Sequence, residues 1–140
     1  MTDDLAQQIA SLLNRQNLLD HQYTAAKILE NAPRYIYRLG DDGTLIGVVE
    51  VKKVQWYQCE IDHLSVDLEK MRAGSGLGTS LVLEAEAKAR NLHARIVQCT
   101  IRTDNVPSTK LFQKLGYLSS VSFMNQHTHN SVAVYQRTLD

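Results

Sequence analysis

The sequence predicts an α/β fold in which a mixed, mostly antiparallel sheet is flanked by helices. Three observations carry that reading. Two helical stripes precede residue 35, and an Asp41-Asp42-Gly43 turn then joins two apolar, strand-like runs. Further on, the glycine-rich run Gly74-Ser75-Gly76-Leu77-Gly78-Thr79 opens directly onto an apolar helix pattern, followed by a strand, a short helix and a closing strand pair. Strands and helices in that alternation pack as an α/β sandwich. With 140 residues the chain is long enough for one sizeable core and too short for two, so residues 1–140 are expected to form a single domain.

The elements can be justified in order. Asp3 or Asp4 is placed to cap a first helix, whose stripe is Leu5, Ile9, Leu12 and Leu13. A second helix is expected over residues 24–31, where Ala25, Ala26, Ile28 and Leu29 are apolar and Pro33 stops it. Residues 35–39 and 45–51 read as two strands of a hairpin, because aspartate-glycine supplies the positive φ angles of a tight turn. A long strand is expected over residues 56–66. By the two-residue period, with no bulge counted, Glu60, Asp62, Leu64 and Val66 share one of its faces, and Cys59, Ile61, His63 and Ser65 the other.

The helix after the glycines carries Leu81, Val82, Leu83, Ala85, Ala87 and Ala89, and a strand is expected over residues 94–101. Next comes a short amphipathic helix with Pro107 near its start, Leu111, Phe112 and Leu115 on one face, and Gly116 where a C-terminal cap belongs. Residues 118–124 and 132–138 read as the closing strands, with His127 and His129 in a polar turn between them.

The glycine run has the chemistry of an anion cradle. Glycines admit left-handed backbone angles and close approach, and the opening N–H groups of the helix then point at the guest. A nucleotide P-loop would need Gly-Lys-Ser/Thr at the end of the turn, but Gly78 is followed by Thr79 with no lysine. A dinucleotide fingerprint would need Gly-x-Gly-x-x-Gly on a tight turn, but here the glycines alternate and Gly74 lies well beyond Val66.

The glycine turn and its helix, a strand, and then Asn105-x-x-Ser108-x-x-Leu111-Phe112-x-Lys114-Leu115-Gly116-Tyr117 together resemble the GNAT family of N-acetyltransferases. The resemblance covers residues 45–117 well and the closing hairpin loosely. Before residue 35 it is weak, so the family's first strand is expected to be missing. It implies acetyl-coenzyme A as cofactor, with its pyrophosphate on Gly74, Ser75, Gly76, Leu77, Gly78 and Thr79. The backbone of Leu64, Ser65 and Val66 would hold the pantetheine arm, flanked by Asn105, Ser108 and Phe112. Glu60 sits where some members have a general base for the amine.

Two departures accompany the resemblance. The family commonly has glutamine or arginine where this chain has Ala73, and Arg72, one place earlier, is the candidate phosphate clamp. Many members place a tyrosine that protonates the leaving thiolate where this chain has Phe112. Tyr117, Ser108 or water is then left for that task, although packing with its hydroxyl at the surface is the commoner role for a tyrosine placed like Tyr117. Two functional readings follow. One is an N-acetyltransferase acting by direct attack in a ternary complex, and the other is a catalytically weak acyl-coenzyme A-binding module.

Charge narrows the partners. Fifteen basic and fifteen acidic residues cancel, leaving no electrostatic footprint for nucleic acid or an anionic membrane. A small-molecule or peptide amine is the expected partner, with a homodimer left open. The acidic start and short apolar runs point to a cytoplasmic protein. Cys59 and Cys99 fall on separate strands and are expected as reduced thiols. His63, four residues after Cys59, has no third ligand in view, so no metal site is expected.

Overall fold

In the computed structural model, which describes residues 1–140 apart from 18, 20 and 73, the chain begins with α1 (Asp3–Gln16) and α2 (Ala25–Glu30). A 3₁₀ turn (Ala32–Arg34) leads into β1 (Tyr35–Leu39), β2 (Leu45–Gln55) and β3 (Gln58–Val66). Then follow α3 (Leu77–Asn91), β4 (Ile96–Arg102), α4 (Val106–Lys114), β5 (Leu118–Met124) and β6 (Ser131–Thr138). The sheet order is β1-β2-β3-β4-β6-β5, with β3 and β4 parallel and the β1/β2, β4/β6 and β5/β6 pairs antiparallel. This is the mixed, mostly antiparallel α/β architecture expected. Among the described residues no strand precedes α1, and no helix is long and apolar enough to cross a membrane.

The chain divides into two compact units, Met1–Val51 with His63–Ala85 and Lys52–Asp62 with Glu86–Asp140. In the first, α1 is capped by Thr2, whose Oγ1 accepts from Leu5 N at 3.1 Å, and not by Asp3 or Asp4. The two aspartates lie instead in the first turn, where negative charge suits the helix dipole. The inner face of α1 (Ala6, Ile9, Ala10, Leu12, Leu13) is buried with Ile28 of α2, Tyr35 of β1, and Leu45 and Val48 of β2. Thr24 caps α2 by accepting from Lys27 N, and Pro33 lies in the 3₁₀ turn that follows.

The β1/β2 turn closes through Gly40 N donating to Thr44 O at 2.8 Å, with Gly43 at φ 81°. Asp42 Oδ1 fastens it by accepting from Thr44 N and Oγ1 at 3.0 and 2.7 Å. On β2, a Cβ at Gly47 would lie 3.0 Å from Leu81 and 3.1 Å from Leu77. The missing side chain is what lets the start of α3 lie directly on that strand.

In the second unit, Trp56 and Tyr57 form a turn, so β3 begins at Gln58 and not at 56. Their rings meet edge to face at 4.8 Å, and Trp56 is 78% exposed. β2 accordingly runs to Gln55, past the expected end at 51; its Lys52 Nζ lies 3.0 Å from Asp62 Oδ2, so the charge is accommodated within the strand. β4 starts at Ile96 instead of 94, because Ala94 N donates back to Ala89 O and Arg95 N to Tyr57 O. α4 ends as expected: Gly116 adopts φ 92°, its N–H donates to Gln113 O, and Tyr117 N donates to Phe112 O, the paired bonds of a Schellman cap.

Candidate active site

The expected anion cradle is built by three features of the first unit. Gly74 and Gly76 both hold φ 84°, a conformation other residues rarely adopt, and a Cβ placed on either would meet nothing within 4 Å. The space over the turn is therefore open. Ser80 N donates to Gly76 O at 3.0 Å, the first bond of the α3 ladder. The amides of Leu77, Gly78 and Thr79 precede that ladder, and Leu77 N turns to Ser75 Oγ at 3.4 Å. The residues present thus suit a pyrophosphate: backbone donors at a helix start, reached through glycines with no side chain in the way. Arg72 is exposed beside this turn, in a hollow shared with Met71, Gly74 and Ser75. Ala73 lies outside the described residues.

The β3 stretch of the same unit contains a feature that the sequence did not reveal. His63 has φ 50°, left-handed backbone inside a strand. Burial along the strand still follows the expected two-residue period, with Cys59, Ile61 and Ser65 buried and Glu60, Asp62, Leu64 and Val66 half-buried; His63 is the exception on its face. Ser65 is 3% exposed; its Oγ donates to His63 O at 3.2 Å and accepts from Asn17 Nδ2 at 3.0 Å. Leu64 and Val66 on either side are half-buried.

Glu60 belongs to the second unit and is half-buried, in register with Gln98 of β4. Gln98 Oε1 in turn accepts from Gln136 Nε2 at 2.6 Å. The Lys52 ammonium lies within ion-pair distance of Asp62 Oδ2 but off the hydrogen-bonding direction. Cys99 is buried close by, and its thiol is pushed up to about 12 by desolvation and by the Asp62 and Glu60 carboxylates. Cys59 is also raised by burial. Both thiols are free and held protonated at neutral pH, so neither supplies a nucleophile.

Asn105 caps α4, its Oδ1 accepting from Ser108 N at 3.3 Å, and Ser108 is half-buried in the first turn. Phe112 is 3% exposed and packs edge-on against the Tyr117 ring at 5.0 Å. The expectation of a surface hydroxyl on Tyr117 is corrected here. Tyr117 is 1% exposed and donates to Glu86 Oε2 at 2.7 Å, while Arg137 NH1 donates to both oxygens of the same carboxylate at 2.9 and 3.0 Å. Burial and the Glu86 carboxylate raise the phenol above its ordinary value, so the proton is held in a structural bond and Tyr117 is poorly suited as a general acid.

Four residues with evident structural tasks escaped sequence reasoning. Glu86 was legible in principle, since Leu81, Val82, Ala85 and Ala89 set a helical stripe on which residue 86 also falls, four after Val82. Arg137, its partner, gave no signal. Asn14 in the last turn of α1 and Asn17 at its C-terminal cap looked like ordinary polar surface.

The acetyltransferase (GNAT) family profile matches residues 6–117, most of the chain. The chain belongs to the GNAT acetyltransferase family. YdhI of Bacillus subtilis (strain 168) is similar to this GNAT chain at 29% identity over 87 residues, covering 62% of this chain and 51% of YdhI. The chain therefore spans about half the length of the curated relative it matches. Among solved structures, Ard1 from Thermoplasma volcanium superposes with a TM-score of 0.83 at 18% identity, covering 99% of this chain and 94% of that one. The GNAT phosphinothricin acetyltransferase from Sinorhizobium meliloti, solved with acetyl-coenzyme A, gives 0.81 at 16% identity over 99% of this chain and 85% of that one. At such identities the likeness is one of fold.

Proposed function

We propose that this chain is an N-acetyltransferase that moves acetyl from acetyl-coenzyme A to a small-molecule or peptide amine by direct attack in a ternary complex. The observation that carries the reading is the open glycine cradle at the start of α3, with Gly74 and Gly76 left-handed and first-turn amides beyond them, in a chain of an acetyltransferase family. Acetyl-coenzyme A supplies an activated thioester. The chain's own part is to bind, orient and handle protons. Backbone donors of residues 74–79 take the pyrophosphate, with Arg72 as an exposed clamp beside them. The backbone of Leu64, Ser65 and Val66 holds the pantetheine arm as an added strand would be held, with Asn105, Ser108 and Phe112 assigned to the same arm. Glu60 takes the proton the amine must lose, directly or through water. With Phe112 unable to donate and the Tyr117 proton bonded to Glu86, Ser108 or water would supply the proton that the leaving group needs.

The weak-binding-module reading keeps one specific observation in its favour. Neither aromatic residue at the end of α4 offers a mobile proton, and losing a general acid costs about 10²- to 10⁴-fold in rate. Calorimetry with Gly76→Asp tests the shared basis of both readings, because the variant adds a strained side chain and a negative charge where phosphates would approach. Acetyl-coenzyme A should bind the wild type, and the folded variant should bind at least about tenfold more weakly. Equal affinity in the two proteins would remove the cradle from the account.

A further inference from the structure

We propose that Asn17 and Ser65 are positioning residues for the acyl-cofactor stretch of β3, because they fix the left-handed turn at His63 that sets the path of residues 64–66. The inference rests on the reading of those residues as the pantetheine-binding backbone. A non-glycine residue keeps a left-handed backbone only where its surroundings over-determine it, and His63 at φ 50° is held in two ways by the end of α1. On one path, Asn17 Nδ2 donates to Ser65 Oγ at 3.0 Å, and Ser65 Oγ donates to the His63 carbonyl at 3.2 Å. On the other, Asn14 clasps the backbone of Tyr23, accepting from its N–H at 2.8 Å and donating to its carbonyl at 2.9 Å. The Tyr23 ring then lies edge-on against the His63 ring at 5.6 Å.

Asn14 lies in the last turn of α1 and Asn17 is its C-terminal cap, with extended backbone, so both anchors sit at the same end of the helix. Asn17 is itself locked, since its Nδ2 also donates to Leu13 O at 2.9 Å and its backbone N–H to the same oxygen at 3.1 Å. Ser65 is buried, and its hydroxyl both donates and accepts a hydrogen bond, so its orientation is fixed from two sides. This arrangement holds the turn in the backbone at His63. Its effect is to give residues 64–66 one fixed backbone path, and preorganised backbone donors bind a ligand more tightly than donors that must first be ordered.

The test is a titration of acetyl-coenzyme A into the wild type, Ser65→Ala, Asn17→Ala and the double variant, followed by calorimetry and by backbone amide NMR of residues 64–66, with thermal melts of each protein. Ser65→Ala should remain folded, bind about tenfold more weakly, and show the amides of residues 64–66 shifted or broadened before ligand is added. The double variant should lose no more than the worse single one, because both side chains act through one chain of hydrogen bonds. Asn17→Ala also loses a helix cap, so Ser65→Ala carries the decision. Wild-type affinity in Ser65→Ala, or losses that add in the double variant, would overturn the proposal, whatever happens to melting temperature. If the wild type itself does not bind acetyl-coenzyme A, the functional reading fails and takes this inference with it, a result distinct from a wild type that binds and a Ser65→Ala that binds equally.

Discussion

Glu86 is the clearest case in this chain of a single residue whose environment decides its role. A carboxylate 1% exposed on α3 is tolerable only because Tyr117 and Arg137 supply three hydrogen bonds to it. Removing the acid should therefore cost more than removing the phenol. Glu86→Leu is expected to destabilise by about 3 kcal/mol, the low end for a broken buried pair, because Arg137 keeps a third of its side chain in water. Tyr117→Phe should cost about 1–2 kcal/mol. Denaturant unfolding of both variants checks the order, and a larger loss in Tyr117→Phe would contradict it.

Cys99 adds a pH dependence of known sign. Burial and the nearby carboxylates push its folded thiol from an ordinary value of 9.0 up to about 12, so between those values the unfolded chain has released a proton that the folded chain keeps. The folded state then binds more protons, and stability falls as pH rises, by up to about 1.4 kcal/mol per pH unit from this group alone. Cys99→Ala should flatten the slope of stability against pH above 9, measured by urea unfolding across that range, whatever its offset at neutral pH. At the proposed site, Glu60→Gln should leave the acetyl-coenzyme A dissociation constant nearly unchanged and lower turnover on an amine by about 10²-fold or more. A matched loss of affinity would give Glu60 a binding role instead.

Elements were more legible than residues wherever local chemistry sets their ends. Pro107 and Gly116 announce α4 in the sequence, and the structure gives each its expected backbone task; the cap by Asn105 appears only in the structure. Gly116→Ala should cost about 1 kcal/mol by forcing a side chain to φ 92°, seen as a lower melting temperature without altered cofactor affinity. The glycine turn was legible for the same reason, since only glycine sits comfortably at the angles found at positions 74 and 76. The limits of β2 and β3 were less so. Lys52 and Lys53 look like the end of a strand until Asp62 is seen opposite Lys52, a pairing decided by tertiary contact. The left-handed backbone at His63 was not legible: histidine is enriched among non-glycine residues at positive φ, as His93 and His129 also show, but nothing local marks which histidine turns, and the anchors of His63 lie far back at the end of α1.

At the scale of the whole chain, the order of motifs was informative where single motifs were not. A glycine turn alone is a common helix entry; followed by a strand and an asparagine-capped helix ending in Leu115-Gly116-Tyr117, it marks one family, and the match over residues 6–117 agrees. The acceptor was not legible, because its recognition depends on side chains brought together by the fold. If acetyl-coenzyme A binds as proposed, saturation at 100 times its dissociation constant should stabilise the protein by about 2.7 kcal/mol, visible as a raised melting temperature. Acetyl transfer itself separates the proposed enzyme from a binding module. Its most direct test is to incubate the protein with acetyl-coenzyme A and a broad panel of amines and peptides, following thiol release and the acetylated product together by mass spectrometry. Amide and free coenzyme A are expected in equal amounts for at least one acceptor, faster in Phe112→Tyr if proton supply to the thiolate limits the rate. Cofactor binding with no amide formed from any acceptor, in wild type and Phe112→Tyr alike, would contradict it and leave a binding module.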